Sequence, residues 1–137
     1  MRRLAAIGAI VLGVLLLVGG AATYLVVSST LGEQNIVTSE DACLKGNDVD
    51  GPFTAYCQAK VIDMHALEAT GGLHYAELGQ EDPLRDTAMN ASFLQASLFT
   101  SVLAFGVAAQ AIGMGVIFIL LGLGIRDVAV TVKPTTS

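Results

Sequence analysis

Two long charge-free stretches divide the chain. The first opens at Leu4, is apolar through Val27 and meets no charge until Glu33, and the second holds 39 uncharged residues between Asp86 and Arg126. Each exceeds the ~20 residues that carry a helix across a hydrocarbon layer of ~30 Å. A helix from Pro83 to Ile125 is roughly 64 Å long at about 1.5 Å per residue, twice that layer. Its second half is therefore expected to span and its first half to project as a stalk. The fold class expected is an all-α membrane protein: an antiparallel two-helix transmembrane hairpin, a long second helix extending outside the bilayer, and a small helical, disulfide-stapled extracytoplasmic loop domain. The expected layout is a cytoplasmic N-terminus over 1–3, a first span over 4–27 and an extracytoplasmic loop over 28–82 with one short helix near 54–70. A stalk follows over 83–101, then a second span over 102–125 and a cytoplasmic tail over 126–137. Arg2 and Arg3 before an apolar run, with small Gly20 and Ala22 after it, also suit a cleaved secretory signal. Because the run continues through Tyr24-Leu25-Val26-Val27, an uncleaved span is expected.

Within the spans the pattern concerns packing. Small residues recur at Ser97, Ser101, Ala104, Ala108, Ala111, Gly115 and Gly122, close to a 3.5-residue repeat, and at Ala6, Ala9, Gly13, Gly20 and Thr23 in the first span. That repeat is the seam of left-handed helix pairs, and small side chains let two backbones approach. An antiparallel pairing puts Gly13 and Ala9 near Gly115 and Gly122. Gln110 is the strongly polar side chain deep in the second span, placed to hydrogen-bond across helices.

Local signals mark the outer elements. Asp82-Pro83 reads as a capping carboxylate followed by proline at the first helical position, with Asp86 favourable to the helix dipole. Thr54 reads as the cap of the loop helix, whose apolar face is Ala55, Ala59, Ile62, Ala66 and Ala69 and whose stop is Gly71-Gly72. That face is expected to meet Leu84, Ala88, Ala91, Leu94 and Leu98 on the stalk. The tail from Val128 to Val132 is strand-like only against a partner, and is expected to be loose.

Charge orients the arrangement. Eleven carboxylates against Lys45, Lys60 and Arg85 lie between the spans, whereas the ends carry Arg2, Arg3, Arg126 and Lys133 against Asp127. By the positive-inside tendency both termini face the cytoplasm, and the acidic loop lies outside the plasma membrane. Cys43 and Cys57 both fall in that loop, on the oxidising side, so an intramolecular disulfide closing 15 residues is expected, worth about 3 kcal/mol. The segment Gly46-Asn47-Asp48-Val49-Asp50-Gly51 resembles a calcium loop, but Gly46 and Cys57 then fill the first and twelfth ligand positions, so it reads as a solvated acidic turn. A net charge of −5 without a basic cluster excludes nucleic acid as a default partner.

The phrases DGPFTAYC at 50–57 and EDPLRDTAMNASFLQASLF at 81–99, with the opening MRRLAAIG, resemble a family of small actinobacterial two-span membrane proteins. Members are often labelled aromatic ring-opening dioxygenase. The resemblance covers nearly the whole chain except the tail. That label implies a ferrous iron enzyme, for which a facial triad needs two histidines and a carboxylate, here His65 and His74 with Glu68, Glu77 or Asp63. From the residues alone, both imidazoles are expected to face solvent, with no metal or other cofactor and no catalytic residue.

The function expected is therefore a non-enzymatic accessory or structural subunit of a membrane assembly. Its expected partners are the lipid bilayer and either another membrane protein or further copies of itself. A self-assembling module or small channel, served by Gln110 and the glycines, is the alternative, and the iron dioxygenase a second one. The charge pattern makes one prediction: a C-terminal reporter active only outside the cytoplasm stays silent, and the same reporter inserted between Glu33 and Asp48 is active.

Overall fold

The computed structural model describes residues 1–131. Three helices account for most of them: α1 over Arg2–Gly32, α2 over Pro52–Ala69 and α3 over Arg85–Thr131. The chain forms two compact units, one built from residues 1–25 with those from 107 onward, the other from 26–106.

In the first unit α1 and α3 run in opposite directions along a seam of small residues. Gly13 lies against Gly115, and a methyl group added at either would sit 2.7 Å from the other's carbonyl oxygen. Seven residues along α1, a Cβ on Gly20 would be 2.7 Å from the Ala108 carbonyl, and a Cβ on Gly122 would be 2.8 Å from that of Ala6. Each step of seven on one helix thus matches seven steps back on the other, the repeat of a left-handed pair. Ala9 and Ala111 in this unit are half-buried, as is Ala104 in the second. Gly122 faces Ala6 and Ile10 rather than Ala9, because the register is set by backbone clearance at Gly13 and Gly115 and carries the next contact one heptad away.

The second unit is a small helical module. α1 ends at Gly32, and the turn that follows it reaches Asn35, whose φ of 51° lies in the left-handed region that asparagine tolerates. The following loop folds around Thr38, which is 3% exposed. Its backbone N–H donates to the Asn47 carbonyl at 2.9 Å, its hydroxyl accepts from the Asn47 N–H at 3.0 Å and donates to the Leu44 carbonyl. The Cys43–Cys57 disulfide then ties the loop to α2, with Cα atoms 5.5 Å apart. Leu31, Val49, Ala55, Ala59, Leu98 and Phe105 form the core, and Ala42, Cys57 and Val61 a second cluster under the loop.

Several boundaries differ from expectation. Gly51 caps α2, Pro52 occupies its first position and Thr54 its third, where the threonine hydroxyl accepts the Gly51 N–H at 3.2 Å. Proline's fixed φ and missing N–H suit it to the first position better than a threonine two residues on. α2 stops where Gly71 and Gly72 take φ of 69° and 89°, the Gly72 N–H reaching back to the Leu67 carbonyl at 2.7 Å. α3 begins at Arg85 rather than Pro83. Asp82 accepts the Leu84 N–H at 2.9 Å and its carbonyl accepts the Arg85 N–H at 3.1 Å, so Asp82 and Pro83 form the turn that launches the helix. At its other end α3 continues past Arg126 to Thr131, where a loose tail was expected, since neither glycine nor proline interrupts the chain before Pro134. The rest of the tail, 132–137, lies outside the described residues.

Two predictions follow from these contacts. Gly13→Ala and Gly115→Ala each lose about 1–3 kcal/mol in denaturant titrations in detergent micelles. Gly19→Ala and Gly113→Ala, where an added methyl meets nothing within 4 Å, lose nothing. Cys43→Ser lowers the stability of the second unit by about 3 kcal/mol and opens the 36–51 loop to limited proteolysis.

Candidate functional site: a neutral groove under an acidic surface

The second unit presents two chemically distinct surfaces. One is a groove of about 670 Å³ between the end of α1, the stalk part of α3 and α2. Val26, Val27 and Leu31 form one wall, Leu94, Leu98 and Ala104 another, and Ile62 closes it. Its polar members are neutral: Thr30, Gln34, Gln58, Ser97, Thr100 and Ser101. The Thr100 hydroxyl donates to the Ala96 carbonyl at 2.7 Å and that of Ser101 to the Ser97 carbonyl at 3.1 Å, so these hydroxyls are satisfied within α3. Gln58 is 9% exposed and holds the loop, its Oε1 accepting the Ser39 N–H at 3.1 Å. With no ionisable group in its walls, the groove suits apolar contact, not proton transfer.

The other surface is acidic. Glu33, Glu40, Asp41, Asp48, Asp50, Glu68, Glu77 and Glu81 are all exposed. The segment joining α2 to α3 is pinned to the base of the stalk. The Arg85 guanidinium stacks 4.2 Å above the Tyr75 ring and donates to the Leu78 carbonyl at 2.5 Å, and Leu78 itself is 4% exposed.

The two histidines are held apart from one another's partners. His65 Nε2 lies 3.4 Å from Asp41 Oδ2 with about half its side chain exposed, while the His74 backbone N–H donates to Glu77 at 2.8 Å. Among the described residues no group of three or more His, Cys, Asp or Glu side chains lies together as a metal ion would need. Cys43 and Cys57 are joined to each other, and Asp48 belongs to the turn, its backbone bridged to Val37. Gln110 is exposed on α3.

The groove escaped the sequence because its walls come from three separated segments with no shared motif. Gln58 carried only a weak signal, a polar residue beside the otherwise apolar Cys57 and Ala59. Compared with protein-family models, with curated proteins and with solved structures, the chain finds no match in any of the three.

Proposed function

We propose that this chain is a multi-pass plasma-membrane protein, a non-enzymatic accessory or structural subunit with both termini in the cytoplasm and an acidic, disulfide-bonded interaction module outside. One observation carries the membrane part. α1 and α3 are each long and apolar enough to cross a bilayer, yet only 17% of the most apolar window of either is buried. Gly13, Gly20, Gly115 and Gly122 face the seam, and many large side chains face out: Leu15 is 65% exposed, Val18 58%, Ile117 57% and Leu120 63%. A soluble core helix buries its large apolar groups, whereas lipid covers them without cost. Arg2 and Arg3 at the start of α1 and Arg126 near the end of α3 fall at the same end of this antiparallel pair, which supports one inner face for both.

The accessory role rests on the outer module. It exposes many carboxylates, its groove lacks ionisable groups, and its disulfide and pinned connector hold a fixed surface for a partner. Purification of the native protein in mild detergent with quantitative mass spectrometry tests this. The expected result is a membrane protein recovered at fixed stoichiometry and lost when Glu40, Asp41 and Glu68 are replaced by lysine. Recovery of a closed ring of this chain alone would replace the reading with a self-assembling module. Iron-dependent ring cleavage abolished by His65→Ala would replace it with an enzyme.

A further inference from the structure

We infer that the groove of the second unit is a binding site for a single-chain neutral lipid, an aliphatic chain ending in uncharged hydroxyl or ester oxygens. Every residue of its lining falls within 26–106, so the site belongs to one unit and needs neither the membrane reading nor the accessory role. Its volume of about 670 Å³ lies within the ~300–1,000 Å³ of small-molecule sites. A helix ~10 Å across fills about 420 Å³ per turn, so a helical partner would seat roughly one and a half turns there, too little to hold it.

The lining is graded along its length. Val26, 62% exposed, and Val27 lie at one end of the α1 wall, and Thr30 and Gln34 follow about one and two turns on. Across the groove Ser97 adjoins Leu98, which packs in one buried cluster with Leu31, the neighbour of Thr30, while Ala104 lies about two turns further along α3. Three of the polar side chains are committed within the chain: Gln58 to Ser39, Thr100 to Ala96 and Ser101 to Ser97. The other three, Thr30, Gln34 and Ser97, are exposed, and their side chains have no hydrogen-bond partner among the described residues. These free groups gather near the Leu31–Leu98 contact, and Val26, Val27 and Ala104 leave an apolar bed beyond them.

That pattern selects the chemistry of the ligand. The lining holds no Lys, Arg or His to pair an anion and no Asp or Glu to pair a cation, so a charged head would lose its water without compensation. A bare hydrocarbon would cover the Gln34 amide and two hydroxyls without replacing the water they bond, which also costs. Neutral oxygens on an aliphatic chain meet both conditions, because they accept from these donors and carry no charge.

Three diazirine probes with the same saturated chain separate the cases: monopalmitoylglycerol, palmitate and hexadecane. Each is photo-cross-linked to the full-length protein in phosphatidylcholine nanodiscs, and labelled peptides are mapped by mass spectrometry, with labelling elsewhere on the chain as the reference for partitioning. Expected is saturable labelling of 26–36 and 94–104 by monopalmitoylglycerol, competed by the unlabelled lipid, with palmitate and hexadecane about tenfold weaker there. Ser97→Phe fills the groove from an exposed position and lowers that labelling about tenfold, and Gln34→Leu keeps the bulk, removes the amide and lowers it about two- to tenfold. Both variants are expected to keep the Cys43–Cys57 disulfide and the resistance of the 36–51 loop to proteolysis. Equal labelling of the groove by palmitate or by hexadecane in the unmodified chain overturns the neutral-lipid assignment. Labelling that does not saturate, or that survives Ser97→Phe, overturns the site itself.

Discussion

Backbone clearance at Gly13 and Gly115 governs how α1 and α3 pair. Neither position has room for a methyl group, since each added carbon would come within 2.7 Å of the carbonyl oxygen of the other glycine. Where two helices approach this closely, hydrogens take the place of side chains at the glycines, the Ile10, Ile112 and Ile119 side chains fill the space beside them, and many of the remaining large apolar groups turn outward. That arrangement is the reverse of a water-soluble core. In water, the outward leucines and valines of α1 and α3 would stay solvated and contribute nothing. In lipid they lose nothing, and contact between backbones supplies the attraction. The register then propagates in sevens to Gly20 with Ala108 and to Gly122 with Ala6.

The second unit solves a different problem. Only residues 26–106 build it, and its two clusters of buried side chains are small. A core of that size stabilises a fold weakly, so local ties are added. Thr38 stitches the loop to itself, Gln58 and the disulfide join it to α2, and Arg85 with Tyr75 holds the connector to α3. Each tie fixes backbone without needing more apolar area. None of these ties uses a carboxylate; elsewhere in the unit Asp41 meets His65, Glu77 accepts the His74 N–H and Asp82 accepts the Leu84 N–H.

What could be read from the residues follows the physics of each signal. An absence of charge over 39 residues and two cysteines in one acidic loop are strong patterns, and they led to the two long helices and the Cys43–Cys57 pairing. The heptad of small residues was also visible, but not its register, since periodicity alone leaves Ala6 and Ala9 nearly equivalent partners for Gly122. Helix starts were displaced for two reasons: Pro83 belongs to the turn before α3, which starts at Arg85, whereas Pro52 takes the first position of α2 and leaves the cap to Gly51 rather than Thr54. The second buried face of α2, with Cys57 and Val61 under Ala42, had no readable signal, because the element that covers it is an irregular loop without period. The groove was hidden for the same reason.

The central claim, that lipid covers the outer faces of α1 and α3 while a dry seam joins their inner faces, is tested most directly by nitroxide scanning of residues 107–125 in nanodiscs. Relaxation by oxygen and by a water-soluble nickel chelate is compared at each position. The account predicts high oxygen and negligible nickel accessibility at Ile117, Leu120 and Leu121, and low accessibility to both at Ala108 and Gly115. Strong nickel accessibility on the outer face, or no helical periodicity in the oxygen response, would contradict it.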